Sequence, residues 1–65
     1  MKRIVDIFRK NQRNHVLWTY IVELGGEGFH PNLDNFKKEA LTLAGIEGHG
    51  PLEELEALVH MEILK

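Results

Sequence analysis

The sequence has 65 residues, a formal net charge of −2 and no cysteine. This length allows one domain, residues 1–65, near the lower size limit for a chain that folds without help. The lack of cysteine excludes disulfides, thiolate nucleophiles and cysteine-type zinc sites. We therefore expect association, with a second copy or with another protein, to supply part of the stability.

The sequence lacks the features of a membrane or secreted protein. No stretch has the roughly 18 consecutive apolar residues of a membrane-spanning helix. Charged residues interrupt the opening MKRIVDIFRK, whereas a secretory signal needs about 7 to 15 uninterrupted apolar residues. We expect a soluble, cytoplasmic protein with no membrane partner.

Two β-strands are predicted in the first third of the chain, over residues 3–9 and 15–24. The second holds the only Trp and the only Tyr and is rich in β-branched and aromatic residues, which fit a pleated sheet better than a helix. The polar break at 10–14 has a suitable length for a hairpin loop. A helical hairpin is the alternative, because a long apolar run does not identify itself by periodicity alone.

An amphipathic helix is predicted over residues 33–44, after a loop that contains three glycines and one proline. Its apolar residues recur at spacings of three and four, which is the pattern of a helix with one buried face. Asn32 or Asp34 is expected to cap the first turn. Gly45 is expected to take the left-handed conformation that ends the helix.

A third strand is predicted over residues 55–64, with a short helical turn possible at 51–54. In a helix, Glu62 would lie near the centre of the apolar arc. In a strand, five apolar residues point one way and the glutamates and His60 point the other, with only Leu58 and Leu64 as exceptions. The five apolar residues are Leu55, Ala57, Val59, Met61 and Ile63.

These elements assemble into an α+β fold with the element order ββαβ. A strand that returns through a helix normally runs parallel to the strand it left. The first strand therefore belongs in the middle, antiparallel to both neighbours, in the order 2-1-3, with the helix on one face. The alternative is a small all-α bundle.

One helix can cover only one face of such a sheet, yet the strands carry apolar residues on both. The first strand places Val5 on one face and Ile4 on the other. Apolar patches of several hundred Å² usually mark association sites. We therefore expect a non-enzymatic regulatory or interaction module that docks on a protein partner as a homodimer. The predicted contact residues are Ile7, Phe8, Trp18, Tyr20 and Leu58.

Charge is distributed unevenly along the chain. Residues 1–14 carry five Lys/Arg against one Asp, a balance of +4, and residues 15–65 carry three Lys against nine Asp/Glu, a balance of −6. Lys and Arg that neutralise phosphates dominate nucleic-acid affinity. The alternative function is therefore a nucleic-acid-associated regulator. Its predicted binding residues are Arg3, Arg9, Lys10 and Arg13.

The same arginines could instead be neutralised inside the sheet. If the first and third strands are antiparallel, Arg3 is expected to face Glu62. Arg9 is expected to face Glu56. Such cross-strand pairs contribute only a few tenths to one kcal/mol each.

No catalytic, metal or cofactor site is expected. The four histidines are separated by 15, 19 and 11 residues, and none of these spacings preforms a metal site. The glycine-rich stretch 25–28 lacks the Gly-Lys-Ser/Thr ending of a phosphate loop. The sequence has no serine or cysteine, which removes the commonest nucleophiles.

Overall fold

The computed structural model describes residues 1–64 and contains three strands and one α-helix. The predicted α+β fold is confirmed: β1 lies between β2 and β3 and is antiparallel to both. The all-α alternative is wrong. A short 3₁₀ turn precedes β3, as the sequence suggested. The elements are β1 (Lys2–Arg9), β2 (Val16–Glu23), α1 (Leu33–Ile46), the 3₁₀ turn (Leu52–Glu54) and β3 (Leu55–Leu64).

The core lies between α1 and one face of the sheet. Val5 and Ile7 of β1 and Phe36 of α1 are fully buried there. Val5 and Ile7 share this face because successive side chains of a strand point to opposite sides. The other core residues are Tyr20, Val22, Ala40, Ala44, Leu55, Ala57 and Val59.

The helix begins with a reciprocal cap. The side chain of Asn32 accepts a hydrogen bond from the backbone N–H of Asn35 at 3.0 Å, and the side chain of Asn35 accepts one from the backbone N–H of Asn32 at 2.8 Å. Asn32 is thus the cap, and Asp34 lies in the first turn. Within residues 1–64, no helix is long and apolar enough to cross a membrane.

The helix runs to Ile46, two residues beyond its predicted end. Gly48, with a φ of 80°, takes the left-handed position assigned to Gly45. The N–H of Gly48 donates to the carbonyl of Gly45 at 3.2 Å, and that of His49 donates to the carbonyl of Ala44 at 3.0 Å, the two bonds of a Schellman stop. Gly45 stays helical, and a Cβ there would lie 3.2 Å from Leu52. The lack of a side chain at position 45 therefore allows α1 to pack closely against Leu52.

The last part of β3 departs from the predicted alternation. Its inward residues are buried as far as Val59, but Met61 is 72% exposed and Ile63 is 50% exposed. The register between β1 and β3 shifts between Arg3 and Val5, where three residues of β3 lie opposite one of β1. Such extra residues disrupt the ladder locally and bend the strand. Of the five residues predicted to point one way, Met61 and Ile63 therefore lie outside the buried part of the sheet.

Candidate functional site

The face of the sheet opposite α1 is covered by no other element within residues 1–64. We call it the open face. Two of its apolar side chains are well exposed, Ile21 at 65% and Leu58 at 55%. Cross-strand partners share a face, so the register places Ile21 beside Ile4 and Leu58 beside Asp6. The open face consists of Ile4, Asp6, Phe8, Val16, Thr19, Ile21, Glu56, Leu58 and His60.

A hydrogen-bonded row crosses the middle of the open face. Asp6 Oδ1 accepts a hydrogen bond from Thr19 Oγ1 at 2.8 Å, and Asp6 Oδ2 lies 2.7 Å from His60 Nε2. Burial disfavours the ionised carboxylate, but the hydrogen bonds from His60 and Thr19 and the charge of His60 outweigh it. The pKa of Asp6 is therefore lowered below its ordinary value of 3.8. The row joins all three strands and places a polar feature between the apolar side chains of Ile21 and Leu58.

The predicted contact residues are divided among three environments. Leu58 and Phe8 lie on the open face, although Phe8 is only 8% exposed. Ile7 and Tyr20 are buried beneath α1 at 0% and 8% exposure. Their assignment as surface contacts is corrected, because alternation turns both toward the helix. Trp18 is 52% exposed but points to the helix side, at the outer edge of β2.

Trp18 belongs to an aromatic cluster that attaches the end of α1 to β2. Its ring stacks on His49, with centroids 5.3 Å apart, and Tyr20 meets the same imidazole edge-on at 6.4 Å. The Tyr20 hydroxyl donates to Glu47 Oε1 at 2.7 Å. Burial, and then the hydrogen bond and charge of Glu47, raise the pKa of Tyr20 to about 12. No pattern in the sequence predicts this cluster, because it depends on where the helix stops.

The outer edge of β2 has a definite pattern of backbone groups. Met1 and Leu24 exchange both of their backbone hydrogen bonds, each at 2.9 Å. Hydrogen-bonded and non-hydrogen-bonded pairs alternate along an antiparallel ladder. The N–H and C=O groups of Thr19, Ile21 and Glu23 therefore point away from β1. Within the described residues, no hydrogen bond reaches this edge from another element.

Arg3 is part of the fold rather than of an exposed basic cluster. It lies on the helix side, and its Nη1 donates to the carbonyls of His60 at 3.1 Å and Met61 at 2.7 Å. Ile63, rather than the predicted Glu62, is its cross-strand partner. The assignment of Arg3 to partner binding is thereby corrected: its guanidinium holds the irregular part of β3.

The other predicted arginine pair is also wrong, by one residue of register. Arg9 lies opposite Leu55, and Glu56 lies opposite Phe8. A shift of one residue moves a side chain to the other face of a sheet. Glu56 instead forms a salt bridge with Arg13 at 3.2 Å. Its charge is therefore neutralised by Arg13 and not by Arg9 as predicted.

The exposed cations Arg9 and Lys10 line a cleft with acidic neighbours. The cleft has a volume of about 420 Å³ and lies between the β1–β2 turn and the 3₁₀ turn. Glu53 and Glu54 line its other side. Two cations and two carboxylates leave little net charge to concentrate phosphates. The lining is completed by Asn11, Gly50, Pro51 and Leu55.

Comparison with protein-family models, with curated proteins and with solved structures finds no match to this chain. Among residues 1–64, no group of three or more His, Cys, Asp and Glu is placed to hold a metal ion.

Proposed function

We propose that the protein is a non-enzymatic interaction module, working in the cytoplasm as a homodimer, that docks on another protein through its open face. The observation that carries this proposal is the exposure of Ile21 and Leu58 on a sheet face that no element covers. Burial of a fully exposed Leu or Ile contributes about 1.5–3 kcal/mol. Covering these two side chains therefore gives a partner a substantial gain.

The polar row determines how a partner can dock. Asp6 is held by Thr19 and His60, so a partner that covers the open face does not bury an unpaired carboxylate. An uncompensated buried charge would strongly weaken association. The open face thus combines apolar area with a polar centre that is already satisfied.

The test compares two leucines with similar exposure. Leu58 on the open face is 55% exposed, and Leu52 in the 3₁₀ turn is 51% exposed. We expect the Leu58→Glu variant to lose binding of an apolar fluorescent dye. In a pull-down, we expect wild type and Leu52→Glu to bind a partner protein that Leu58→Glu does not bind. Equal behaviour of the two variants in both assays would contradict docking through the open face.

A nucleic-acid-associated role is the second candidate, favoured by the exposure of Arg9 and Lys10 beside Arg13 at the β1–β2 turn. Binding through these residues should weaken steeply as salt rises, because phosphate contacts release counterions. The measurement is a salt titration of a fluorescently labelled duplex, with the Arg9/Lys10/Arg13 triple alanine variant as control. Salt-sensitive binding that the triple variant loses would favour this role over apolar docking.

A further inference from the structure

We propose that the homodimer forms at the outer edge of β2, which pairs antiparallel with β2 of a second copy about a two-fold axis at Thr19. The two sheets then join into one sheet of six strands. This inference rests on the homodimer in the proposed function and specifies where it forms. It leaves the open face available to a different protein.

The two edges of the sheet are not equally protected against pairing. Natural sheets guard their edges with charges, proline or bulges. β2 has no proline and no charged residue from Val16 to Val22, and its one irregularity is the register shift that leaves Leu17 without a partner in β1. The helix α1 packs mainly over β3 and β1. Trp18 and Ile21 are at least half exposed on opposite sides of this strand, which is expected where a neighbouring strand is missing.

The backbone of β2 is arranged for self-pairing at Thr19. The N–H and C=O of Thr19 point outward, as shown above from the alternation along β1 and β2. Two copies related by a two-fold axis at this residue can exchange both backbone hydrogen bonds between their Thr19 residues. Ile21 of each copy then lies opposite Leu17 of the other, where β2 shifts register against β1, so the regular ladder is centred on Thr19. A two-fold interface of this kind closes after two copies.

The side chains of β2 favour this register. Centring on Thr19 places Trp18 of each copy beside Tyr20 of the other, and aromatic pairs stabilise neighbouring strands. It also places Glu23, which Lys2 of β1 pairs with at 3.5 Å, opposite the polar His15 of the other copy. Centring one residue later would place the apolar Leu17 opposite Glu23.

Self-pairing of β3 is opposed by its charges. Glu56 lies near the start of this strand and Glu62 near its end, so antiparallel pairing of two β3 strands would bring like charges together. Like charges directly opposite one another are destabilising. The carbonyls of His60 and Met61 are also occupied by Arg3. Of the two edges, β2 is the one suited to a second copy.

Single-cysteine variants test the position of the second copy, since the natural chain has no cysteine to interfere. Paired Cα atoms in a hydrogen-bonded antiparallel pair are about 5.5 Å apart, a separation that a disulfide spans. We expect oxidised Thr19→Cys to become a covalent dimer. Ile21→Cys should stay uncrosslinked, because the proposed register displaces its two copies by four residues along the strands. Leu58→Cys should also stay uncrosslinked.

The controls separate the alternatives. Preferential crosslinking of Ile21→Cys would overturn the register. Preferential crosslinking of Leu58→Cys would show that the copies meet through their open faces and would overturn pairing at the β2 edge. Circular dichroism of each reduced variant checks that the cysteine has left the fold intact.

A second experiment requires no disulfide. Thr19→Lys places two ammonium groups opposite each other at the axis, whereas Thr42→Lys changes the only other threonine, on the exposed side of α1. In sedimentation equilibrium we expect wild type and Thr42→Lys to be dimers and Thr19→Lys to have half their mass. A monomeric wild type, or a dimeric Thr19→Lys, would overturn the inference. Loss of pull-down binding in Leu58→Glu alone would still support docking through the open face, so the two proposals fail separately.

Discussion

The two faces of the sheet carry similar apolar residues and differ in what covers them. On the helix side, Val5 and Ile7 are fully buried against Phe36. On the open face, Ile21 and Leu58 are more than half exposed. The chain has one α-helix for two apolar faces within its described residues. For these four aliphatic side chains, burial therefore follows the presence of the helix and not the type of residue.

The faces also treat their ionisable groups in opposite ways. On the helix side, burial and Glu47 favour the neutral phenol of Tyr20 and raise its pKa to about 12. On the open face, burial opposes ionisation of Asp6, but His60 and Thr19 outweigh it and lower its pKa. The open face thus holds a charge that is stabilised by its neighbours. The helix side holds a group whose charged form is excluded.

The largest expected effect on stability comes from removing the side chain of Phe36, with which α1 covers one face of the sheet. Phe36→Ala should destabilise the protein by about 3–5 kcal/mol, because it leaves a cavity between α1 and the sheet. Leu58→Ala on the open face should change monomer stability by only about 0.5 kcal/mol. Urea unfolding followed by circular dichroism measures both, at a protein concentration where the chain is monomeric. Similar losses for the two variants would show that the faces are energetically equivalent.

The sequence predicted the framework of this comparison. The alternation in residues 3–9 assigned Val5 and Ile7 to one face and Ile4 and Phe8 to the other, as observed. The spacing of three and four in residues 33–44 located the helix. Both predictions succeeded because side-chain period is a local property of strand and helix.

The site could be predicted only in part, because it depends on register and on helix length. A one-residue difference between the expected and observed pairing of β1 with β3 moved Glu56 from Arg9 to Phe8. The helix continues to Ile46 and its C-cap is Glu47, three residues beyond the predicted end, so the carboxylate of Glu47 accepts a hydrogen bond from Tyr20. Tyr20, which was predicted to be a surface contact, is buried on the helix side. Neither quantity is encoded in the periodicity of a single segment.

The open face also makes a prediction about acid. Because the pKa of Asp6 is lowered in the folded state, its contribution to stability is present above the unfolded value of 3.8 and is lost as pH falls through the folded value. Asp6→Asn should cost about 1 kcal/mol at neutral pH, and the difference from wild type should shrink below pH 3.8. Urea unfolding at several pH values measures this. Asp34→Asn, which changes the other aspartate, is the control. If the difference between Asp6→Asn and wild type did not change with pH, the negative charge of Asp6 would make no contribution to stability.

The smallest expected change is on the helix side and concerns the single tyrosine of the chain. A raised pKa means that the contribution of Tyr20 is present below its unfolded value of 10.0 and is lost as pH rises through about 12. Glu47→Gln removes the negative charge but leaves the burial, so the titration midpoint should fall between these two values. Ultraviolet absorbance of the tyrosinate measures the midpoint, with circular dichroism to show that the chain is still folded. Glu39→Gln, on an exposed turn of α1, should leave the midpoint unchanged. If Glu47→Gln also left it unchanged, burial alone would account for the raised pKa, and the link between β2 and the end of α1 would not depend on the carboxylate.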